Sequence, residues 1–468
     1  MSAAPMLEVA DLSVRAGDKV LVRGASLRLD AGECLIVMGE SGSGKSLLAH
    51  AIMGDLAPGL SARGAVHVAG MRIDDLSYAD RRAFWGRRIA LLPQEPWLSL
   101  DPLMRVDGQI AETHALVAGW SWAESWRRAA KDLGRLGLAT AARQLPFRLS
   151  GGMAQRVAIA ATMAADAGLL IADEPTKGLD ATACASVVAL LRAQIEQGRT
   201  VVVVTHDIGL ARALGGRIAV MRNADIIETG DTRTVLTAPQ HDYTKMFVAA
   251  DPVNWPRPNA HPGGVPVLRG EGLAATRGGR TLFEDVDIML THGEVACVQG
   301  PSGGGKTTLG AVLLGLLAPH RGLVRRGADN NTQAWRFQKL YQDPVAAFAP
   351  YASLRTALDD VVCRYGANWR AVEAILVRLS IPFDLLDRYP DQVSGGELQR
   401  IALARALIVD PVFLFADEPT SRLDPPIQRA TMELLREVAV ERGLAMLLVT
   451  HDPDLAAAMS SRPALRIG

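Results

Sequence analysis

The sequence is poor in the features that mark secreted and nucleic-acid-binding proteins. Only 4 of its 468 residues are cysteine, and they are scattered without a C-x-x-C pair, which argues against a disulfide framework or a zinc ribbon. We expect small buried side chains at all of them, namely Cys34, Cys184, Cys297 and Cys363. Lys+Arg and Asp+Glu balance at 50 each, so bulk charge does not indicate a nucleic-acid partner.

Long apolar runs are also missing. No stretch of about 18 uninterrupted apolar residues occurs, so the sequence predicts no membrane-spanning helix. The start, MSAAPMLEVADLSV, has neither a basic nor an apolar segment and does not predict a secretory signal. Apolar residues still make up 49% of the chain. That is enough for two domains of roughly 200 residues or more, each with its own core, and we expect a cytosolic protein.

Two glycine-rich stretches share the pattern G-x-x-x-x-G-K-[ST]. They are GESGSGKS, which begins at Gly39, and GPSGGGKT, which begins at Gly300. In such a loop, backbone N–H groups turn toward phosphate oxygens and a helix N-terminus follows. The residues predicted to bind nucleotide phosphates are Gly39, Ser41, Gly42, Gly44, Lys45 and Ser46, and in the second half Gly300, Ser302, Gly303, Gly305, Lys306 and Thr307. An apolar run typical of a buried strand precedes each loop.

Further landmarks occur twice, in the same order along the chain. The matched pairs are Gln94 and Gln342, Ser150 and Ser394, Asp173-Glu174 and Asp417-Glu418, Leu179-Asp180 and Leu423-Asp424, and His206 and His451. This unchanged order indicates an internal duplication. Between the halves, the proline- and glycine-rich segment 251–266 predicts a semi-stiff linker without a core of its own. We therefore predict a first domain over residues 1–250 and a second over residues 267–468.

With these residues placed, nearly the whole chain resembles the ATP-binding cassette (ABC) superfamily, with two nucleotide-binding domains in tandem. The resemblance implies an α/β fold in which each P-loop NTPase domain has a RecA-like core, an antiparallel β subdomain and a helical subdomain. The passages PWLSLDP, from Pro96, and HDYTK, from His241, resemble the peptide, nickel and opine importer ATPases. SGGM at Met153 and SGGEL at Glu397 are similar to the paired ATPases of the nickel or metallophore branch.

The resemblance implies hydrolysis of ATP with Mg²⁺. This reaction needs nitrogen donors and a cation around the phosphates and a water aligned for in-line attack. The expected metal ligands are Ser46, Gln94 and Asp173, and in the second half Thr307, Gln342 and Asp417. The expected catalytic residues are the general bases Glu174 and Glu418, with His206, His451, Gln94 and Gln342 around the water and the γ-phosphate. Read alone, either strand-end carboxylate pair could be a helix cap, but the full ordered set favours catalysis.

In the family the SGG segment serves the opposite nucleotide. Ser150, Gly151 and Gly152 are therefore expected to act on the nucleotide held by Lys306, and Ser394, Gly395 and Gly396 on the one held by Lys45. A glycine-opened helix N-terminus can approach a γ-phosphate closely. Two composite sites would then form within one molecule, and neither half lacks a required residue.

Aromatic residues are scarce, at 5% of the chain, and scarcest where the family stacks adenine. Residues 7–30 contain none, and the second half offers Phe283 at the matching place. Arg15 and Arg277 are candidates to cover the base with their planar guanidinium groups. The second half is also shorter, so we expect trimmed accessory strands and no C-terminal regulatory domain.

Two clusters between the motifs have ordinary interpretations. The residues Arg81, Arg82, Arg87 and Arg88 predict a solvated helix face. The tryptophans of a helix-rich segment, which are Trp97, Trp120, Trp122 and Trp126, predict core or subdomain packing, with a partner-facing role left open.

Three functions are weighed. The leading one is the ATPase of a bacterial importer for peptides, nickel, a metallophore or an opine. It would dock through residues 95–149 and 343–393 on separate transmembrane permease subunits served by a substrate-binding protein. Such a protein would be peripheral, at the cytoplasmic face of the inner membrane, without a nucleic-acid partner. The alternatives are an accessory ATPase of phosphonate breakdown and a non-transport ABC protein acting on ribosomes, which the short proline-rich linker disfavours.

Overall fold

The computed structural model describes residues 4–260, 263–301, 303–327 and 333–467. The chain divides into two compact units, Met1–Val248 and Ala249–Gly468. Each unit contains one mainly parallel sheet, one antiparallel sheet and a set of helices. Of the helices described, none has the length and apolar character needed to cross a membrane.

The first unit contains ten strands and nine α-helices among its described residues. Strands β1 to β10 are Leu7–Ala16, Lys19–Leu29, Cys34–Gly39, Leu60–Val68, Met71–Arg72, Ile89–Leu92, Leu169–Asp173, Thr200–Thr205, Arg217–Arg222 and Asp225–Asp231. Helices α1 to α9 are Lys45–Met53, Tyr78–Arg82, Val106–Glu112, Trp122–Arg135, Gly151–Met163, Ala181–Glu196, Ile208–Leu214, Thr232–Thr237 and Asp242–Ala249.

The main sheet of the first unit has the strand order β10-β9-β3-β8-β7-β6. Strands β3, β7 and β8 are buried along their whole length. The reason is that both faces of a parallel sheet are covered, which is also why these strands are continuous apolar runs rather than alternating ones. The smaller sheet, in the order β2-β1-β4-β5, is antiparallel. Its first two strands, β1 and β2, form an antiparallel pair in which Leu7 lies opposite Leu29 and Ala16 opposite Lys19.

The second unit repeats this plan with fewer strands. Strands β11 to β18 are Pro266–Arg277, Arg280–Thr291, Val295–Gln299, Arg321–Arg326, Phe337–Leu340, Phe413–Asp417, Ala445–Val449 and Leu465–Arg466. Helices α10 to α15 are Lys306–Leu314, Leu354–Tyr365, Trp369–Arg378, Gly395–Ile408, Pro425–Arg442 and Pro453–Met459. The main sheet, in the order β15-β16-β17-β13-β18, is parallel throughout. The antiparallel sheet has three described strands against four in the first unit, as the expected trimming of accessory strands requires.

The beginning of the proline-rich segment is packed rather than free. Trp255 is only 7% exposed and belongs to a core cluster of the second unit. Its indole Nε1 donates to the carbonyl oxygen of Ala250 at 3.0 Å. A tryptophan buries a large apolar area, so the expectation of a linker without a core does not hold for this part. His261 and Pro262 lie outside the described residues.

The cysteine prediction is correct for the two residues on central strands and wrong for one. Cys34 and Cys297 are buried free thiols, and burial raises the pKa of each to about 12. Cys184 is half-buried, and its pKa is also raised to about 12, mainly by burial and to a smaller extent by nearby carboxylates. Cys363 is exposed, because it lies on the solvent-facing side of α11, directly after the buried Val362.

The arginine prediction also needs one correction. Arg82, Arg87 and Arg88 are exposed as expected. Arg81 is half-buried instead, and its guanidinium donates to three backbone carbonyls, of Leu76 at 3.0 Å, Gly54 at 3.3 Å and Asp74 at 2.8 Å. Gly54 follows the last residue of α1, where carbonyl groups lack hydrogen-bond partners within the helix. Arg81 is therefore a structural residue that donates a hydrogen bond to a carbonyl group at the C-terminal end of this helix.

Candidate nucleotide sites

In each unit a candidate phosphate-binding loop joins a central strand to the helix that follows it. Lys45 is the first residue of α1 and is buried, and its Nζ donates to the carbonyl oxygens of Gly39 and Glu40, both at 2.8 Å. Lys306 begins α10 in the same way, and its Nζ donates to the carbonyl oxygens of Gly300 at 2.8 Å and Pro301 at 2.9 Å. Each loop thus curls around a buried ammonium group, which is the cation that the sequence predicts for nucleotide phosphates.

The first glycine of each loop is required by a close backbone approach. A Cβ atom on Gly39 would lie 2.2 Å from the carbonyl oxygen of Met221, and one on Gly300 would lie 2.0 Å from that of Ile467. Gly42 and Gly303 differ, because a Cβ atom there would meet nothing within 4 Å. Of the other predicted loop residues, Gly44 and Gly305 cap α1 and α10 in left-handed conformations, Ser41 is exposed, and Ser302 lies outside the described residues.

The predicted metal ligands Ser46 and Asp173 lie together, as do Thr307 and Asp417. The hydroxyl of Ser46 forms a hydrogen bond with Asp173, and Oγ1 of Thr307 donates to Oδ2 of Asp417 at 2.7 Å. Burial raises the pKa of both aspartates above the ordinary range, although the hydroxyl groups oppose this. Oδ1 of Asp173 has no hydrogen-bond partner among the described residues. A buried carboxylate with an unpartnered oxygen beside a hydroxyl is a hard oxygen donor set that suits Mg²⁺.

Each predicted general base is paired with its predicted histidine. Oε1 of Glu174 lies 2.7 Å from Nδ1 of His206, and Oε1 of Glu418 lies 2.6 Å from Nε2 of His451. Oε2 of Glu174 also accepts a hydrogen bond from Thr205 Oγ1 at 3.3 Å. Sequence reasoning missed Thr205, although its place directly before the histidine at the end of an apolar strand could have indicated it.

Sheet topology brings these side chains together. In the first unit β7 and β8 are parallel neighbours, with Asp173 opposite Val204, so their carboxyl ends meet at one edge. The backbone N–H of Glu174 donates to the carbonyl oxygen of Val204 at 2.8 Å. Glu174 and Glu418 have φ values of 48° and 50°, a left-handed conformation that non-glycine residues rarely adopt and that clusters at functional sites.

Opposing effects set the ionisation of Glu174. Burial raises the pKa of this carboxyl, but the hydrogen bond from His206, the charge of His206 and the charge of Lys45 outweigh it. The pKa therefore lies below the usual glutamate value. A carboxylate that stays ionised at neutral pH can accept a proton from an attacking water.

The two glutamines are placed differently. Nε2 of Gln342 donates to Oε2 of Glu418 at 2.9 Å. Gln94 is exposed two residues beyond β6, and within the described residues no hydrogen bond joins it to Glu174. The structure therefore places Gln342 in contact with the predicted general base of its unit and leaves Gln94 outside the matching cluster.

The signature serines cap helices, and only one of them is engaged by a carboxylate. Ser150 caps α5 and accepts from the backbone N–H of Met153 at 3.4 Å. Ser394 caps α13, and both its backbone N–H and its hydroxyl donate to Oε2 of Glu397 at 2.7 Å. Burial raises the pKa of Glu397, but these two hydrogen bonds outweigh it and the pKa is lowered.

The signature glycines that follow have two different roles. A Cβ atom on Gly151 would meet nothing within 4 Å, so this position leaves the helix N-terminus open to a ligand. At Gly152 it would lie 3.0 Å from Cβ of Ala183, and at Gly396 3.1 Å from a side-chain carbon of Leu423. The second glycine of each signature therefore also serves close packing against the segment after the catalytic strand. Gly395 has only the flexible Arg422 side chain nearby, at 3.4 Å.

Two of the three candidate adenine platforms, Phe283 and Arg15, are already engaged within the protein, whereas Arg277 is exposed. Phe283 is 6% exposed and belongs to a core cluster of the second unit, where its ring would lie 3.1 Å from a Cβ atom on Gly305. Arg15 donates from Nη2 to the carbonyl oxygen of Asp18 at 3.1 Å, within its own hairpin. The structure therefore makes Phe283 a core residue rather than an exposed stacking surface.

We expect His206→Ala to move the acid limb of the pH–rate profile of the first site to higher pH. Without the histidine, burial is the largest remaining influence on Glu174, and it raises the pKa of that carboxyl. The base is then protonated at a pH where it is normally ionised. ATP turnover is measured from about pH 5 to 9 in a Glu418→Gln background, so that the second site does not contribute.

The control for that measurement is Thr205→Val, which removes the other hydrogen bond to Glu174. This bond is longer, at 3.3 Å, and comes from a neutral donor, so the acid limb should move less. An unchanged profile in His206→Ala would show that the histidine does not hold this carboxylate in its ionised form.

Comparisons with known proteins agree with this geometry. The model of the family described as "ABC transporter" matches residues 22–177 and 283–421, one region in each half. The chain belongs to the ABC transporter family. It is an ATPase with two P-loop NTPase domains in tandem, and each domain carries its own glycine-rich loop, carboxylate pair and histidine.

Curated relatives resemble the chain over nearly its full length. The peptidoglycan transport ATP-binding protein YejF of Agrobacterium fabrum is 34% identical over 98% of this chain and 90% of its own length. The glutathione import ATP-binding protein GsiA of Salmonella typhi is 32% identical over 95% of this chain and 81% of its own length. Among solved structures, the archaeal ribosome recycling factor aABCE1 in complex with stalk protein aP1 matches with a TM-score of 0.68 over 92% of this chain and 82% of that chain. Its 23% identity supports the tandem fold alone.

Proposed function

We propose that this chain is the ATP-hydrolysing subunit of a bacterial importer for peptides or other small molecules that contain peptide bonds. The observation that carries the proposal is that both halves retain a glutamate–histidine pair, at 2.7 Å and 2.6 Å. The two relatives named above are described as transport and import ATP-binding proteins for peptidoglycan and for glutathione. Both of those compounds contain peptide or amide linkages, which favours this class over nickel, a free metallophore or an opine.

Mg²⁺ fits the donor sets of both halves. We propose that Ser46 and Asp173 hold one ion and Thr307 and Asp417 the other, with Gln342 able to reach the second. Such an ion supplies positive charge against the phosphate oxygens during hydrolysis. Lys45 and Lys306 bind the phosphates, and Glu174 and Glu418 accept the proton of the attacking water while His206 and His451 hold them in place.

An exposed aromatic surface on the helical part of the first unit is the candidate docking site for a permease. Packing was expected for its tryptophans, and for three of them that expectation is wrong: Trp120, Trp122 and Trp126 are 45%, 51% and 43% exposed. The guanidinium of Arg128 lies 3.8 Å from the ring centre of Trp120. Trp122 and Trp126 lie on the same side of α4 as the buried Ala129 and Leu133, which follow them along the helix. The side chain of Trp97 lies outside the described part.

A cluster of exposed aromatic side chains is typical of a surface that binds a partner. We propose that this surface, together with residues 343–393 of the second unit, receives cytoplasmic helices of separate permease subunits. A substrate-binding protein would deliver the substrate to that complex on the opposite side of the membrane. The chain would then be peripheral, at the cytoplasmic face of the inner membrane.

Two expectations stay predictions. One is that each signature serine acts on the nucleotide held by the opposite half, and the other is the pair of domain bounds, 1–250 and 267–468.

The proposal is tested by purifying the tagged chain from native membranes and identifying the membrane subunits that accompany it. We expect the reconstituted complex to hydrolyse ATP several times faster when a peptide-loaded binding protein is added. Trp122→Ala with Trp126→Ala should abolish this stimulation and leave the basal rate unchanged. Val440→Ala is the matched control, because it removes an exposed apolar side chain on a different helix.

Ribosomes or RNA that accelerate hydrolysis, while co-purified membrane subunits have no effect, would contradict the importer assignment. Acceleration by membrane subunits with a binding protein loaded with nickel rather than a peptide would contradict the substrate class alone.

A further inference from the structure

A buried tyrosine near the end of the first unit lies against the first phosphate loop. The hydroxyl oxygen of Tyr243 accepts a hydrogen bond from the backbone N–H of Glu40 at 3.0 Å, across 203 positions of the chain. Tyr243 is 2% exposed and belongs to α9. It lies in the HDYTK passage, to which neither the glutamate–histidine pair nor the proposed docking surface gives a role. The contact joins α9 to the loop between β3 and α1.

Two neighbouring strands hold the tyrosine in this place. The guanidinium of Arg222, the last residue of β9, lies 4.7 Å from the centre of the Tyr243 ring, which is the geometry of a cation–π contact. Glu228 of β10 accepts the backbone N–H groups of Gln240 at 2.8 Å and of His241 at 3.1 Å, directly before α9. Both strands belong to the main sheet that also carries the loop, so the hydroxyl is presented to the loop from a fixed framework.

Both backbone polar groups of Glu40 are engaged. Its carbonyl oxygen accepts a hydrogen bond from Nζ of Lys45 at 2.8 Å, and its N–H donates to Tyr243. An ammonium group has three N–H donors, and Lys45 must share them between phosphate oxygens and loop carbonyls when a nucleotide binds. The hydrogen bond to Tyr243 does not depend on the lysine, and it therefore holds Glu40 whether or not the site is filled.

The second loop orders the matching position by other means. The residue that corresponds to Glu40 is Pro301, which has no backbone N–H and whose ring fixes φ at about −65°. The two loops otherwise share a backbone shape, since φ is 154° at Gly39 and 158° at Gly300, and the later glycines with positive φ match as well. A hydrogen bond in the first half thus stands where a proline ring stands in the second.

We propose that Tyr243 is a positioning residue of the first nucleotide site, whose hydroxyl holds the phosphate loop in its binding shape. This role rests on the proposed binding of phosphates by the loop, and it makes α9 part of what sets the affinity of that site. A loop that is ordered before the ligand arrives loses less conformational freedom on binding. The second site does not use a tyrosine in this way, because Pro301 cannot donate and its own ring restricts the backbone.

The test is Tyr243→Phe, which removes the hydroxyl and keeps the ring beside Arg222. Binding of a fluorescent ATP analogue is measured at the first site in a Lys306→Ala background and at the second in a Lys45→Ala background. We expect the Kd of the first site to rise about five- to tenfold, as the loss of one hydrogen bond implies, and that of the second to stay within about twofold. Tyr78→Phe, which removes the hydroxyl of an exposed tyrosine in the same unit, should change neither.

Glu40→Pro tests whether the hydroxyl acts through this one N–H group. The variant copies the second loop at the matching place and removes the donor that Tyr243 accepts. In this background Tyr243→Phe should not weaken ATP binding further, because the hydrogen bond is already absent. A second loss as large as the first would show that the phenol acts elsewhere and would overturn the proposal, as would an unchanged Kd in Tyr243→Phe alone.

Melting temperatures distinguish a positioning role from a structural one. Without nucleotide, Tyr243→Phe should melt within about 2 °C of the parent, and the increase produced by ATP should be smaller than in the parent. A larger fall without nucleotide, together with equal weakening of both sites, would mean that the hydroxyl supports the fold rather than the loop, and would overturn the proposal. Undiminished ATP binding in Lys45→Ala with Lys306→Ala would instead contradict the proposed nucleotide role of the loops themselves.

Discussion

Replacing both proposed general bases, in Glu174→Gln with Glu418→Gln, should lower the ATP hydrolysis rate at least about a hundredfold. Each glutamate lies within hydrogen-bonding distance of a histidine at the carboxyl edge of a parallel sheet. Glutamine keeps the size and a carbonyl acceptor for this contact, but it cannot take a proton from water. Removal of a negative charge near the phosphates should leave ATP binding as tight as before or tighter. Phosphate release and equilibrium binding of a fluorescent ATP analogue measure the two effects separately.

The matched control is Glu112→Gln with Glu437→Gln, which changes two exposed helix carboxylates in the same chain. This variant should hydrolyse ATP at the parent rate. A double variant of Glu174 and Glu418 that retains more than a tenth of the activity would show that another group deprotonates the water. The single variants then report how much each half contributes to hydrolysis, because Gln342 contacts Glu418 whereas, within the described residues, no hydrogen bond joins Gln94 to Glu174.

The predicted site residues that the structure brings together belong to local sequence patterns. Lys45 and Ser46 follow the phosphate-loop glycines directly, and Asp173 and Glu174 end an apolar strand, so each group is fixed by a few neighbouring residues. The tandem α/β fold followed from the repetition of these patterns, and the family match in both halves confirms it. In a parallel sheet the carboxyl ends of neighbouring strands lie at the same edge, so residues that end such strands are expected to lie close together.

What sequence did not predict depends on contacts between distant parts of the chain. The role of Arg81 requires the end of α1, 27 positions away, and the burial of Trp255 depends on the core of the second unit. The exposure of Cys363 depends on which face of α11 packs inward. Thr205 becomes a partner of Glu174 only through the pairing of two strands. No local pattern reports such contacts, because they are set by the assembled core.

Gly39→Ala should damage the first nucleotide site far more than a change at another glycine of the same loop. The added Cβ atom would lie 2.2 Å from the carbonyl oxygen of Met221 in β9. This carbonyl belongs to a paired strand, so relief requires a shift of backbone rather than of a flexible side chain. We expect a loss of about 3 kcal/mol, which appears as a melting temperature lower by about 6–12 °C and as ATP binding weakened more than about a hundredfold.

Gly42→Ala separates steric overlap from backbone preference. Gly42 also has a left-handed φ, of 79°, but a Cβ atom there would meet nothing within 4 Å. Only the conformational cost of about 1–2 kcal/mol then applies. Both variants are compared in a Lys306→Ala background, so that ATP binding reports the first site. Equal losses in the two would mean that the approach of β9 to the loop does not constrain Gly39, and that left-handed geometry alone explains the glycines of this motif.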